Sequence, residues 1–299
     1  DLRRLLRLDM DVAHVDAETG EVAVLVDDDE LQKLTTLGFD WRMQHEDVVD
    51  FYRSRLTGPA EGTPPYGAWL SPAFGSGSLG SYYTWAEVIS ILDQMRTAYP
   101  TLISARTSIG QSIEGRDLWM VKISDNPDVD ENEPEVHFDA LHHAREPVSM
   151  ESTLYYLVWL LEGYGTDPLA TYLVDERETW FVPVVNPDGY VWNQTTNPNG
   201  GGMWRKNRRV NGGGTIGVDL NRNYPFRWGF DDVGSSPNPG SSTYRGTGPA
   251  SEPEVAAMVA FFTARSDDKF GAGFSEPLCS GAAHPCTSAR HDGFLSFDL

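Results

Sequence analysis

A short apolar run, a turn and a longer apolar run stand in the middle of the chain. Val136-His137-Phe138-Asp139-Ala140-Leu141 reads as a strand, and residues 148–161 read as a helix set off by Pro147. Between them, Leu141-His142-His143-Ala144-Arg145-Glu146-Pro147 places a histidine and a carboxylate three residues apart in the strand-to-helix turn. Ligands collect at the carboxyl ends of strands in open α/β sheets. A neutral imidazole beside a carboxylate suits zinc, which in catalytic sites takes three protein ligands and keeps one position open. Taken alone, the pair reads equally as a surface turn carrying two ordinary polar side chains.

The flanking sequence repeats the alternation of strand and helix. Thr84-Trp85-Ala86-Glu87 is a capping box, opening a helix whose apolar positions Trp85, Val88, Leu92 and Met95 share a face until Tyr99-Pro100 ends it. Residues 104–109 and 118–123 read as strands joined through Glu114-Gly115-Arg116-Asp117. Residues 179–185 form a continuous apolar strand of the kind covered on both faces. Ser251-Glu252-Pro253-Glu254, a second capping box, precedes a helix over 255–264. This pattern predicts an α/β fold, a central sheet flanked by helices. Tyr155, Tyr156 and Trp159 are core candidates. His142 reads as structural or solvent-facing, and His14, His45 and His137 as ordinary histidines without a metal-spaced partner.

Residues 1–56 form a small N-terminal α+β unit. In it, 21–26 is a strand after Thr19-Gly20, 29–37 is a helix closed by Gly38, and Phe39-Asp40-Trp41 is a further strand. Residues 57–80 turn to Gly, Pro, Ser and Ala, with Pro64-Pro65 and Gly75-Ser76-Gly77-Ser78, a composition that marks an exposed linker and a cleavage region.

Charge narrows the partners. A formal net charge of -21 opposes binding to nucleic acid or to an anionic membrane. No apolar run spans a bilayer, and Asp1 to Leu8 has neither an initiator Met nor a signal-peptide apolar core, so the chain reads as soluble. Cys279 and Cys286 are the only cysteines and leave the redox compartment open.

Further stretches occur in a telling order: His143-Ala144-Arg145-Glu146, Val184-Val185-Asn186-Pro187-Asp188-Gly189-Tyr190, Trp204-Arg205-Lys206-Asn207-Arg208, Gly217-Val218-Asp219-Leu220-Asn221-Arg222-Asn223-Tyr224-Pro225, and Ser251 to Glu254. From about Tyr82 to Arg265 the chain resembles the zinc metallocarboxypeptidases, particularly their secreted bacterial branch. The resemblance implies a mixed central sheet flanked by helices, with 81–267 as a partial catalytic domain and 1–56 as an activation segment. It also implies secretion, a monomer, and a peptide or protein substrate with a free C-terminus. His143 and Glu146 would bind Zn2+, and Asp219 would hydrogen-bond the zinc histidine. Arg205 would stabilise the oxyanion, Asn221 and Arg222 would grip the terminal carboxylate, and Arg145 would make an auxiliary contact. Read without the resemblance, Arg205 with Arg208 and Arg209 is a solvated basic loop, and Asn221-Arg222 is turn chemistry.

The resemblance stops near residue 268. The family's third zinc ligand, a histidine, is due near Gly273-Phe274-Ser275-Glu276, where none stands, and His284 and His291 follow in unlike contexts. The general-base Glu is not matched either. Residues 268–299 therefore read as a frame-shifted tail, and the chain is expected to be an impaired enzyme or a non-catalytic form of the fold. The other reading is a divergent protein that recruits His284 as a ligand.

Overall fold

The computed structural model describes residues 5, 8, 10–15, 19–26, 28–48 and 76–269. In the N-terminal part, β1 (Asp11–Val15) pairs antiparallel with β2 (Val22–Leu25), and α1 (Asp28–Thr36) follows. The strand expected at Phe39-Asp40-Trp41 is not there. Gly38, with φ at 72°, ends α1 in a left-handed turn in which Phe39 N–H donates to Leu34 O and Gly38 N–H to Thr35 O. This paired closure leaves Phe39 as an apolar stop packed against the cluster of Leu5, Met10 and Leu34. Trp41 Nε1 reaches back to Thr35 Oγ1 at 3.0 Å.

The larger part opens with α2 (Trp85–Ala98), whose capping box forms as expected: Glu87 N–H donates to Thr84 Oγ1 and Thr84 N–H to Glu87 Oε2. Then come β3 (Thr107–Gln111), β4 (Asp117–Ile123), β5 (Glu135–Asp139), α3 (Pro147–Gly163), α4 (Pro168–Asp175), β6 (Glu178–Val182), α5 (Pro187–Thr196) and α6 (Pro253–Lys269). The strands make one mixed sheet in the order β3-β4-β6-β5, with β5 and β6 parallel and the other pairs antiparallel.

Alternation along the strands builds two cores. Val121, Ile123 and Phe181 face α2 and α3, meeting Leu92, Met95, Met150, Leu154 and Leu157. Leu118, Met120, Trp180 and Val182 face the other way, onto Val255 and Met258 of α6. This is the α/β sandwich the sequence predicts. Tyr156 stacks on Trp159 at 5.7 Å within the first core, but Tyr155 is 50% exposed, because it lies on the outer side of α3. Among the described residues no helix is long and apolar enough to cross a membrane.

Candidate active site

The parallel strands β5 and β6 end side by side, and the loops leaving them build the site. After β5, Ala140 N–H and O pair with Val182 O and Val185 N–H, which carries Leu141 into a left-handed conformation with φ at 59°. A leucine held there is strained by about 1–3 kcal/mol. Leu141 N–H donates to Ser149 Oγ and its carbonyl accepts from Asn186 N–H, two contacts that maintain the turn and present His143.

His143 is 7% exposed and lies between two carboxylates. Nε2 is 3.0 Å from Asp219 Oδ1, and Nδ1 is 3.1 and 3.0 Å from the two oxygens of Glu146. An ionised carboxylate only accepts, so the Asp219 contact puts a proton on Nε2. In a neutral ring, the Nδ1 lone pair would then face the Glu146 oxygens, and two acceptors at that distance repel. A proton or a metal cation between them removes the conflict. The donor set of one imidazole nitrogen and one carboxylate fits zinc, whose bonds to such atoms run to about 2.0–2.2 Å.

The charges agree with that geometry. Burial opposes a protonated His143, but the Asp219 charge and the bonds to Asp219 and Glu146 raise its pKa above the ordinary 6.5. Burial would raise Glu146, yet His143, Arg205 and Arg145 bring it below the usual value. Asp219 is fully buried, and although burial pushes it up, Arg205 and His143 hold it far below the usual carboxylate range.

Asp219 is the hub. Besides His143 it accepts from Arg205 Nε and Nη2 at 3.1 and 2.9 Å and from Asn221 N–H at 3.0 Å. Arg205 Nη1 lies 3.7 Å from Glu146 Oε1. As N-cap, Asp219 starts the short 3-10 turn Leu220–Arg222, which sets Asn221 and Arg222 beside the site. Arg222 donates from Nε to Gly234 O and from Nη1 to Asn221 O, and lines a concavity of about 400 Å³ with Arg227, Phe230 and Val233. Arg145 is half-buried next to Glu146. Thus His143, Glu146, Asp219 and Arg205 form one hydrogen-bonded group, with Asn221, Arg222 and Arg145 at its edge.

Arg208 and Arg209 are not a solvated run. Arg208 lies between the rings of Trp192 and Trp204, at 3.8 and 4.5 Å, and Arg209 Nε bonds both oxygens of the buried Glu252. His142 is structural: Nε2 meets Tyr224 Oη at 2.8 Å, and Nδ1 is 3.4 Å from Asp139. His137 closes that chain on Asp139 at 3.0 Å.

Three buried asparagines, to which the sequence reading gave no role, join these loops. Asn186 Nδ2 donates to His142 O, Asn193 Nδ2 to Ala144 O and Trp204 O, and Asn207 Nδ2 to Glu252 while its Oδ1 accepts from Val218 N–H. No periodic signal marks them. The position due to carry a third ligand, together with Cys279, His284, Cys286 and His291, lies outside the described residues.

The zinc carboxypeptidase family model matches residues 88–276. A zinc carboxypeptidase of Saccharothrix mutabilis subsp. capreolus is 41% identical over 191 residues, 64% of this chain and 40% of that relative. Carboxypeptidase A2 of Rattus norvegicus is 36% identical over 230 residues, 75% of this chain and 52% of its own. The chain thus spans about half the length of the curated relatives it matches. A solved carboxypeptidase A from Helicoverpa armigera superposes with a TM-score of 0.67 at 24% identity, covering 87% of this chain and 62% of that one, a likeness of fold. The family model covers more than half of the 299 residues, and the chain belongs to the zinc carboxypeptidase family.

Proposed function

We propose that this chain carries the metal-binding and carboxylate-gripping part of a zinc carboxypeptidase that releases C-terminal residues from peptides. The observation that supports this best is His143, whose Nε2 is engaged by Asp219 while Nδ1 faces Glu146 at 3.0 Å. His143 and Glu146 would hold the ion, and zinc bound there would polarise the scissile carbonyl and acidify a water.

The protein's own groups do the rest. Asp219 keeps the His143 proton on Nε2 and so keeps Nδ1 available to a ligand-seeking cation. Arg205, anchored through Nε and Nη2, keeps Nη1 toward Glu146, where a fixed positive charge can meet a developing oxyanion. Arg222 beside its concavity, with Asn221, would take the substrate's terminal carboxylate, and Arg145 would assist. In this reading residues 1–56 are an activation-type unit, 57–80 a linker whose end already pairs with the body through Leu79 and Tyr82, and 81–267 the partial catalytic domain. The protein acts outside the cell, as a monomer, on peptides or proteins with free C-termini.

A second reading, a non-catalytic form of the fold that binds peptide C-termini or has no function, is favoured by one observation. Gly273-Phe274-Ser275-Glu276 holds no histidine where the family's third ligand is due. With two protein ligands instead of three, zinc should bind weakly. Calorimetric zinc titration of the chain and of His143→Ala and Glu146→Ala tests the site, with hydrolysis of a blocked dipeptide followed in parallel. One zinc bound by the parent and lost in both variants is expected. Zinc uptake that neither substitution changes would sink the assignment, and zinc binding without hydrolysis would favour the second reading.

A further inference from the structure

The carbonyls of the two residues on either side of His143 are both held by one helix. On its N-terminal side the carbonyl of His142 accepts from Asn186 Nδ2 at 3.0 Å, and on its C-terminal side the carbonyl of Ala144 accepts from Asn193 Nδ2 at 3.0 Å. Asn186 is the N-cap of α5 and Asn193 lies seven residues on, two turns later and so on the same face. Both are buried, at 0% and 4% exposure.

Asn193 does more than hold Ala144. Its Nδ2 also donates to Trp204 O at 2.9 Å, and its Oδ1 accepts Trp204 N–H at 3.0 Å. Trp204 directly precedes Arg205, whose own carbonyl accepts Ala144 N–H at 3.0 Å. Both N–H donors and one acceptor position of this one amide are therefore used on the residue after His143 and the residue before Arg205. The chain passes so close that a Cβ on Gly202 would stand 2.6 Å from Asn193, so the fit leaves no slack.

We propose that Asn193 is a positioning residue, a clamp that sets the distance between the His143 loop and Arg205. The proposal rests on the reading of His143, Glu146 and Arg205 given above. An aspartate at 193 keeps the shape but turns the double donor into an acceptor facing two carbonyl oxygens, which drives the loops apart. Alanine leaves space in which a water can satisfy those carbonyls without fixing their spacing.

The test uses the whole chain, Asn193→Asp, Asn193→Ala, and Leu92→Ala as a control that thins the core under α2 without removing a hydrogen bond. Zinc affinity is measured against a chelator, and the Arg205 Nε–H resonance is followed by NMR with the metal absent. In the parent that resonance should be shifted and slow to exchange because it donates to buried Asp219. Both Asn193 variants should lose this protection and bind zinc about 10-fold more weakly. Leu92→Ala should lower Tm and change neither. The clamp is overturned if the Asn193 variants keep the protected resonance and the parent affinity, or if Leu92→Ala weakens zinc equally. Should Asn193→Asp not fold, Asn193→Ala decides alone. Should the parent take up no zinc, the metal reading fails separately, and the Arg205 resonance still decides the clamp.

Discussion

Asp219 carries more of the site than any residue that would touch substrate. It is buried, ionised, and satisfied by His143, Arg205 and the Asn221 backbone at once. Replacement by Asn removes the charge and sets an amide N–H₂ against a guanidinium or an imidazole N–H. Breaking a buried pair in this way costs about 3–5 kcal/mol, and losing the partner of a metal histidine costs about 10–100-fold in metal affinity. Asp219→Asn should therefore lower Tm by several degrees and weaken zinc, both read in one calorimetric series, and a variant as stable and as zinc-competent as the parent would remove Asp219 from its place. At this scale the sequence was legible where chemistry has a spacing, as in His143 and Glu146, or an ordered motif, as in Arg205, Asp219 and Arg222. It gave no role to Asn186 and Asn207, although both stand inside those motifs, and did not single out Asn193. Their work is to satisfy loop carbonyls, and which carbonyls come within reach depends on backbone paths that leave no period in the sequence.

Elements with an amphipathic face or a signalled end were readable: α2 by its capping box, α3 by its apolar length, β4 and β6 by apolar runs. Helices α4 and α5 were missed because each is short and opens on Pro after an Asp or Asn cap, a combination that also describes a turn. Phe39 was misassigned because a helix stop and a strand both call for an apolar residue after glycine. The start of α6 shows the converse. Glu254 accepts from Ile113 N–H and from Asn207 Nδ2, tying the helix to the β3–β4 turn and to the Arg205 loop. Burial, aided by the Asp188 and Glu252 charges, pushes Glu254 up to about 7 from the ordinary 4.5. A carboxyl raised on folding contributes stability that is fully present below the unfolded value and is lost as pH rises through the folded one. Between about pH 4.5 and about 7 this group should thus cost up to ~1.4 kcal/mol per pH unit, a slope that Glu254→Gln lacks. Melting both proteins across this range should show the variant gaining on the parent as pH rises. A constant difference in Tm would mean that Glu254 keeps an ordinary pKa.

At the scale of the whole molecule, the parallel pair β5 and β6 explains why residues far apart in sequence meet. Their adjacent carboxyl ends release the His143 loop and α5 on one edge of the sheet, and the later Arg205 and Asp219 loops fold back onto that edge. The same logic says where this body begins. Leu79 and Tyr82 exchange backbone hydrogen bonds, Tyr83 N–H donates to Glu151 Oε1 at 2.9 Å, and Tyr190 Oη–H donates to Tyr83 O at 2.6 Å. Proteolysis of such backbone requires local unfolding, because a protease needs an extended segment free of these bonds. Upstream, 57–75 is rich in Gly, Pro and Ser, the composition of an exposed cleavage region, while β2 is bonded along its length to β1. Dilute protease at short times should therefore cut first between 57 and 75 and leave a fragment starting near Ser76 that resists further digestion and keeps the zinc affinity of the parent. If the first cuts fall within 21–26 or 77–83, or if the fragment from Ser76 melts without a cooperative transition, the division into an N-terminal unit and a separately folding catalytic part is wrong.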